Sequence, residues 1–169
     1  IVTKSHLVAN DEYMALYDKD LCHIQVTFTS TTAEVSRSIE KASLPAQRIE
    51  AIEKLHKAGF DVAIRLSPYI PQFVDIDIIN KIQCNKILVE FLRINTWIKK
   101  WLNINFDEFT VKSGGYLHLP LEKKIALLSL IKKEHISVCE DVTEHFEYWR
   151  EAVNHNKLDC CNLRKTPRE

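Results

Sequence analysis

HIQVTFTS at residues 23–30 and AQRIEAIEKLHKAGFDVAIRLSPYIP at residues 46–71 are the two stretches of sequence that decide the fold. The first alternates polar residues with β-branched and aromatic ones, which predicts a β-strand. The second begins with apolar residues at helical spacing and reaches Gly59, which is typical of the end of a helix. Residues 60–66 then form a second strand-like run. Strand, helix and strand in this order predict a βαβ unit with parallel strands.

The same alternation extends outward from this unit. Towards the N-terminus, IVTKSHLV at residues 1–8 predicts a short strand, and Asn10 begins a helix. Towards the C-terminus, we expect a short helix near residues 76–82 and a strand at Lys86–Phe91. About four parallel strands are therefore expected before residue 95. Beyond it, the sequence predicts a helix at residues 96–102, a glycine loop at 111–116, a helix from Pro120 through Lys133, a strand at 135–139 and a helix from Thr143.

Length and composition limit the architecture. The chain has 169 residues, of which 46% are hydrophobic and 27% are charged, as expected of a globular protein rather than a disordered or fibrous one. A complete (β/α)8 barrel needs about 250 residues, so we do not expect a full barrel. We expect a single domain, residues 1–169, in which residues 1–95 hold the βα repeats and residues 96–169 form a helical C-terminal part.

Charge and hydropathy bear on localisation and partners. The 23 Lys and Arg residues equal the 23 Asp and Glu residues, so no net field attracts nucleic acid or an anionic membrane. No apolar run approaches the roughly 18 residues of a membrane span, and the first residues lack the pattern of a signal peptide. The sequence therefore predicts a cytoplasmic protein that binds neither membrane nor nucleic acid directly.

Three segments follow one another as they do in a known family: residues 23–30, residues 46–71 and the run VCEDVTEHFEYWREAVNHNKLDCCNLR at residues 138–164. They resemble radical SAM proteins of the spore photoproduct lyase-like group, in which a Q-V-S-x-T strand precedes an R-x-x-A-I-x-x-L-x-x-A-G helix and a V-R-x-x-P-x-I-P strand. The resemblance covers the chain from about Val2 to Arg164. It implies an α/β fold, a partial (half to three-quarter) βα barrel with parallel strands and a helical, cysteine-containing C-terminal segment.

One motif of that family is missing from this sequence. The resemblance implies a [4Fe–4S] cluster on a C-x-x-x-C-x-x-C loop, and no such cysteine triplet is present. We therefore expect no iron–sulfur cluster, and without one there is no electron path to S-adenosylmethionine. The match implies that the chain corresponds to the barrel from its third strand onward and lacks the cluster half. It also implies that Gln25 and Arg65 face the cofactor pocket.

The five cysteines are an odd number without a secretory signal, which favours free thiols or metal ligands over disulfides. Cys22 and Cys84 lie in apolar surroundings, where a small buried thiol is the expected interpretation. The other three are concentrated in the last 31 residues of the chain.

These three, Cys139, Cys160 and Cys161, form the best candidate metal site together with His145. Tetrahedral zinc takes four nitrogen or sulfur ligands, and three cysteines plus one histidine leave no open position, so a structural role is expected. His155 is an alternative fourth ligand because it is nearer in sequence to the cysteine pair. The other interpretation is that the cysteines are simply packed or exposed thiols.

Other polar residues have simpler explanations. Arg65 is expected to pair with a carboxylate such as Glu90, and residues 113–115, Ser-Gly-Gly, are expected to form a turn rather than an anion site. The remaining charged clusters are attributed to solvated surface: Glu140, Asp141 and Glu144 at a helix N-terminus, and the pairs Lys99–Lys100, Lys123–Lys124 and Lys132–Lys133.

Two functions from different classes follow. The first is a non-enzymatic, metal-stabilised protein-binding module. Its open sheet edges would pair with a partner or with a second copy in a homodimer, and one version is a mobile-element inhibitor of a CRISPR effector nuclease. The alternative is the C-terminal part of a radical SAM enzyme, spore photoproduct lyase-like and acting in nucleic-acid repair, which needs a separate cluster-bearing half.

Overall fold

The protein is described by a computed structural model that covers residues 1–154, 160 and 161. Strands and helices alternate along most of the chain. The strands are β1 (Val2–Thr3), β2 (His23–Phe28), β3 (Asp61–Tyr69), β4 (Lys86–Phe91), β5 (Val111–Ser113), β6 (Tyr116–His118) and β7 (His135–Val138). The helices are α1 (Asp11–Met14), α2 (Ala33–Ile39), α3 (Pro45–Lys57), α4 (Ile76–Lys81), α5 (Thr96–Trp101), α6 (Leu121–Leu128) and α7 (Thr143–Ala152).

Five strands form one parallel sheet in the order β1-β2-β3-β4-β7. Its first four strands precede residue 95, as the sequence predicts. The sheet and the helices between its strands confirm the α/β fold with the architecture of a partial βα barrel. Among the described residues, no helix has the length and apolar character needed to cross a membrane.

The two faces of this sheet differ in chemistry because successive side chains of a strand point to opposite sides. One face is apolar and fully buried: Ile24, Val26 and Phe28 of β2, Val62, Ile64 and Leu66 of β3, and Ile87 and Val89 of β4. It belongs to the same core cluster as Ile52 and Leu55 of α3. The opposite side, which we call the polar face, carries Gln25, Thr27, Arg65, Ser67, Glu90, Ser137 and Cys139.

Three elements differ from the sequence prediction. The strand expected within residues 1–8 is limited to Val2–Thr3, and His6–Ala9 form a 3₁₀ helix. Helix α2 follows β2 where only a Ser/Thr-rich end of the strand was expected, and the Thr32 side chain accepts a hydrogen bond from the Val35 N–H at its start. Helix α6 ends at Leu128 rather than Lys133. The side chain of Asn80 binds the residues that follow, since it donates to the Leu130 carbonyl and accepts from the Lys132 N–H.

The glycine segment between β5 and β6 is the turn of an antiparallel hairpin. Gly114 and Gly115 have φ angles of +55° and +80°, in the left-handed region that side-chain-bearing residues rarely adopt. This confirms the expectation of a turn.

Candidate metal centre

Three cysteines meet at the carboxyl end of the sheet. One ligand atom from each of Cys139, Cys160 and Cys161 lies within 4.8 Å of the other two, and the Sγ atoms of the adjacent pair are 3.9 Å apart. All three residues are half-buried. Sulfur atoms at this spacing can hold one thiophilic metal ion, so the structure brings together the three cysteines that the sequence singled out.

Cys139 owes its position to the parallel ladder. It follows β7 directly, and its N–H donates to the carbonyl oxygen of Val89 on β4 at 2.9 Å. This continues the register in which Val89 pairs with Val138, so that Cys139 lies beside Glu90 on the polar face. The carboxyl edge of a parallel sheet is where ligand sites of α/β proteins commonly form.

Cys161 is held on the same polar face by a residue of β2, two strands away from β4. Its carbonyl oxygen accepts a 2.7 Å hydrogen bond from the side-chain Nε2 of Gln25 on β2. The cysteine pair therefore lies over the polar face, with β3 and β4 between its anchor on β2 and Cys139 after β7.

A chain of hydrogen bonds runs across the polar face between these points. Arg65 donates from Nη1 to Gln25 Oε1 at 3.0 Å and from Nη2 to Glu90 Oε2 at 2.7 Å. The hydroxyl of Ser67 donates to the same Glu90 oxygen at 2.7 Å. The expected pairing of Arg65 with Glu90 is confirmed. Arg65 is thereby held between a residue that binds Cys161 and a residue beside Cys139.

The surroundings disfavour an ionised thiol at Cys139 when no metal is bound. Burial raises the pKa of this thiol to about 12, and the nearby Cys161, Cys160 and Glu90 add to the rise. A metal ion binds the thiolate and releases its proton, so the affinity of such a site increases with pH.

His145 does not join the three cysteines. Among the described residues, no histidine or carboxylate extends the cysteine group to four ligand atoms that all lie within 4.8 Å of one another. The Nδ1 atom of His145 instead lies 3.1 Å from Lys124 Nζ and 3.7 Å from a Glu140 oxygen. The alternative ligand, His155, lies outside the described residues.

The position of His145 follows from the buried side of α7. Val142, His145 and Trp149 are all buried, at the i, i+3 and i+7 spacing of one helical face. That face packs towards the core, where the ammonium group of Lys124 also lies over the ring of Phe91. The same spacing in the sequence could have identified His145 as a core residue.

Lys124 and Glu140 form a buried ion pair beside His145, and this corrects the expectation that both are solvated surface. The Lys124 Nζ binds Glu140 Oε2 and lies 5.5 Å from the centroid of the Phe91 ring. Burial lowers the pKa of Lys124, which the bond to Glu140 only partly offsets. Burial also lowers the pKa of His145, and the positive charge of Lys124 lowers it further. A neutral His145 can therefore accept a hydrogen bond from the ammonium group.

A second group of candidate ligands, His118, Glu140 and Asp141, is a weaker metal site. Their ligand atoms lie within 4.8 Å of one another. However, Lys124 binds Glu140, and Arg93 donates to Asp141 at 2.8 Å. Two cations already neutralise the two carboxylates, so a metal ion would have to displace them.

Of the two remaining cysteines, Cys84 is buried as expected, and Cys22 is only partly buried. The Cys84 thiol donates to the Val62 carbonyl at 3.3 Å. Burial raises the pKa of Cys84, which makes it a poor nucleophile.

Sequence reasoning missed the buried pair of Glu40 and Arg48, which lies under the same sheet. Arg48 Nη2 donates to Glu40 at 2.8 Å, and the guanidinium also binds the Thr27 carbonyl. The signal was present, because Arg48 shares the helical face of Ile52 and Leu55. A charged residue on an apolar face requires a partner.

Comparison with known proteins supports the fold. No protein-family model matches the chain, and no curated protein matches it. Among solved structures, the chain is similar to a spore photoproduct lyase complexed with dinucleoside spore photoproduct, with a TM-score of 0.54 and 14% sequence identity. The match covers 88% of this chain and 47% of the lyase chain, so this chain spans about half the length of that protein. At this identity the likeness shows the fold alone, a partial βα barrel with parallel strands.

Proposed function

We propose that this chain is a metal-stabilised binding module in which Cys139, Cys160 and Cys161 hold one zinc ion. The observation that carries the proposal is the convergence of the three sulfur ligands within 4.8 Å at the carboxyl edge of the sheet. Zinc suits a site rich in thiolates, and its usual role in such sites is structural. The ion ties the cysteine pair to the end of β7.

Elemental analysis of the purified protein tests the metal. We expect about one zinc per chain and no iron, and Cys139→Ser should lose the zinc, whereas the matched variant Cys22→Ser should keep it. Metal-free wild-type protein together with unchanged melting in chelator would contradict the proposal. At free zinc 100-fold above Kd, binding stabilises the fold by about 2.7 kcal/mol, which corresponds to a melting temperature higher by about 5–10 °C for a chain of this size.

The binding role is supported by an exposed aromatic pair on α5. Trp97 and Trp101 are 63% and 75% exposed, and tryptophan is enriched among the residues that dominate protein interfaces. We propose a protein partner, with a CRISPR effector nuclease as the specific version to test. Pull-down and cleavage assays with the wild type and with the double variant Trp97→Ala/Trp101→Ala decide it. If the wild type neither binds nor inhibits such nucleases, a CRISPR effector nuclease is excluded as the partner.

A homodimer is the other form of this binding role. Val2 on the edge strand β1 is 56% exposed, and β1 pairs with β2 on one side within the described residues. Light scattering gives the mass in solution, and a monomer at all concentrations would exclude pairing of two copies through this edge.

The second candidate function is part of a radical SAM enzyme, spore photoproduct lyase-like, whose cluster is supplied by a separate half. It is favoured by the match to 47% of a lyase chain and by the polar face at the carboxyl ends of the strands. Iron with labile sulfide in the purified protein, or cleavage of S-adenosylmethionine after addition of a cluster-bearing half, would support the enzyme. Zinc without iron, and no cleavage in that mixture, would count against it.

A further inference from the structure

We propose that Gln25 and Arg65 are positioning residues that hold the cysteine pair over the end of β7 in a geometry competent for metal. This inference rests on the proposed function. The site has two separate parts, Cys139 on the sheet and the pair of Cys160 and Cys161, which these side chains bring together.

The buried amide of Gln25 has its orientation fixed on both sides. Its Oε1 accepts from Arg65 Nη1 at 3.0 Å. Its Nε2 lies 2.7 Å from the Cys161 carbonyl oxygen and 3.3 Å from His23 Nε2. Arginine can only donate hydrogen bonds, so the amide oxygen must face Arg65 and the amide nitrogen must face Cys161. The reverse orientation would set two oxygen atoms against each other.

His23 reinforces this orientation through its tautomer. The Nδ1 atom lies 2.8 Å from Asp61 Oδ2, and Lys86 donates to the other oxygen of Asp61 at 2.7 Å. A carboxylate can only accept, so Nδ1 donates to Asp61, and an amide nitrogen can only donate, so Gln25 directs its second hydrogen to His23 Nε2. Both hydrogens of the Gln25 amide therefore form hydrogen bonds, one with the Cys161 carbonyl oxygen and one with His23 Nε2.

Arg65 links this anchor to the other part of the site. Its second nitrogen binds Glu90, which lies beside Cys139 and is held by Ser67 as well. The guanidinium therefore fixes the anchor of Cys161 and neutralises the Glu90 carboxylate beside Cys139. Groups that orient metal ligands in this way typically change metal affinity by about 10–100-fold when they are removed.

The test compares zinc affinity and the cobalt(II) spectrum of full-length variants. We expect Gln25→Glu, which places a second acceptor against the Cys161 carbonyl, to raise the Kd for zinc by about 10–100-fold and to weaken the thiolate-to-cobalt charge-transfer band. The isosteric variant Thr27→Val on the same face is the matched control, because the Thr27 hydroxyl takes no part in this chain of hydrogen bonds. It should keep the affinity and spectrum of the wild type.

Gln25→Met keeps the proposal testable if Gln25→Glu does not fold, because it removes the hydrogen bond without adding charge. It should also raise the Kd for zinc and weaken the cobalt band. Variants at Gln25 that bind both metals as the wild type does would overturn this inference and leave the metal site intact. A wild type that binds neither metal would instead overturn the proposed function itself.

Discussion

The side-chain amide of Asn154 forms hydrogen bonds with both the N–H and the carbonyl group of Val138. Its Oδ1 accepts from the Val138 N–H at 2.8 Å, and its Nδ2 donates to the Val138 carbonyl at 3.1 Å. The amide thus takes the place of a peptide group from a neighbouring strand. It covers the outer edge of β7 at this residue, which protects the sheet from pairing there, and it holds the residue just before Cys139.

Removing this amide should destabilise the sheet edge. Asn154→Ala leaves a buried backbone N–H and carbonyl without their partners, so we expect the free energy of unfolding to fall by about 1–3 kcal/mol. Urea denaturation of the metal-free protein measures it. Asn103→Ala, at an exposed position, is the control and should stay within about 0.5 kcal/mol of the wild type. Equal stability of the two variants would show that the clamp at Val138 contributes little.

The buried ion pair of Glu40 and Arg48 should be sensitive to loss of the carboxylate. The side chains are 3% and 0% exposed, so Glu40→Ala leaves a buried guanidinium charge without its partner. We expect a loss of about 3–5 kcal/mol in the free energy of unfolding. Glu50→Ala on the exposed side of α3 is the matched control. An ordinary substitution costs about 1 kcal/mol. A smaller loss in the Glu40→Ala variant would mean that solvent or another group stabilises the charge of Arg48.

Two substitutions of Trp149 should show how much its packing and its unpaired N–H group each contribute to the free energy of unfolding. The residue is fully buried and packs on Phe91, with ring centroids 6.4 Å apart. Its indole Nε1 has no hydrogen-bond partner among the described residues. Trp149→Ala should cost about 3–5 kcal/mol, whereas Trp149→Phe removes the unpaired N–H along with some packing and should cost much less. Thermal denaturation of both variants measures the difference. Equal losses of stability in the two variants would contradict the prediction that ring packing is the larger contribution.

Because His145 is buried, we expect the free energy of unfolding to be lower in mild acid than at neutral pH. Burial lowers the pKa of His145 below the usual 6.5, Lys124 and His118 lower it further, and Glu140 opposes them. The unfolded chain therefore binds a proton that the folded protein resists, so the free energy of unfolding falls as the pH drops below about 6.5. His145→Gln should reduce this slope by at most about 1.4 kcal/mol per pH unit.

Denaturation at several pH values between about 5 and 7.5 measures that slope, in chelator so that metal binding does not contribute. His56→Gln, at an exposed position of α3, is the control and should leave the slope as it is in the wild type. A slope unchanged by His145→Gln would contradict the burial of a neutral imidazole.

Local patterns were enough to predict the elements that form the sheet. Strand β2, helix α3 and strand β4 have clear periodicity, and the structure has them within a residue or two of the expected bounds. The pairing of Arg65 with Glu90 could also be predicted, because parallel strands bring residues of complementary charge side by side. These features depend on spacing over a few residues or on neighbouring strands.

The contacts that build the candidate site could not be predicted in this way. Gln25 and Cys161 are 136 residues apart in sequence, and no local pattern indicates which backbone carbonyl a buried amide will bind. The sequence favours His145 as a metal ligand because it lies one turn into the helix after Cys139, from where it could point back towards the end of the strand. Its side chain is instead directed by the buried face of α7, which is set by the packing of Trp149 in the core.

The contrast between the two faces of the sheet has a consequence for protein engineering. The apolar face secures the strands, while the polar face holds the cysteines and their hydrogen-bonded supports. Because side chains of the two faces alternate along each strand, ligands on the polar face can be exchanged one position at a time without repacking the core. The same scaffold is therefore suited to hosting new metal-ligand sets, with the apolar face kept constant as the source of stability.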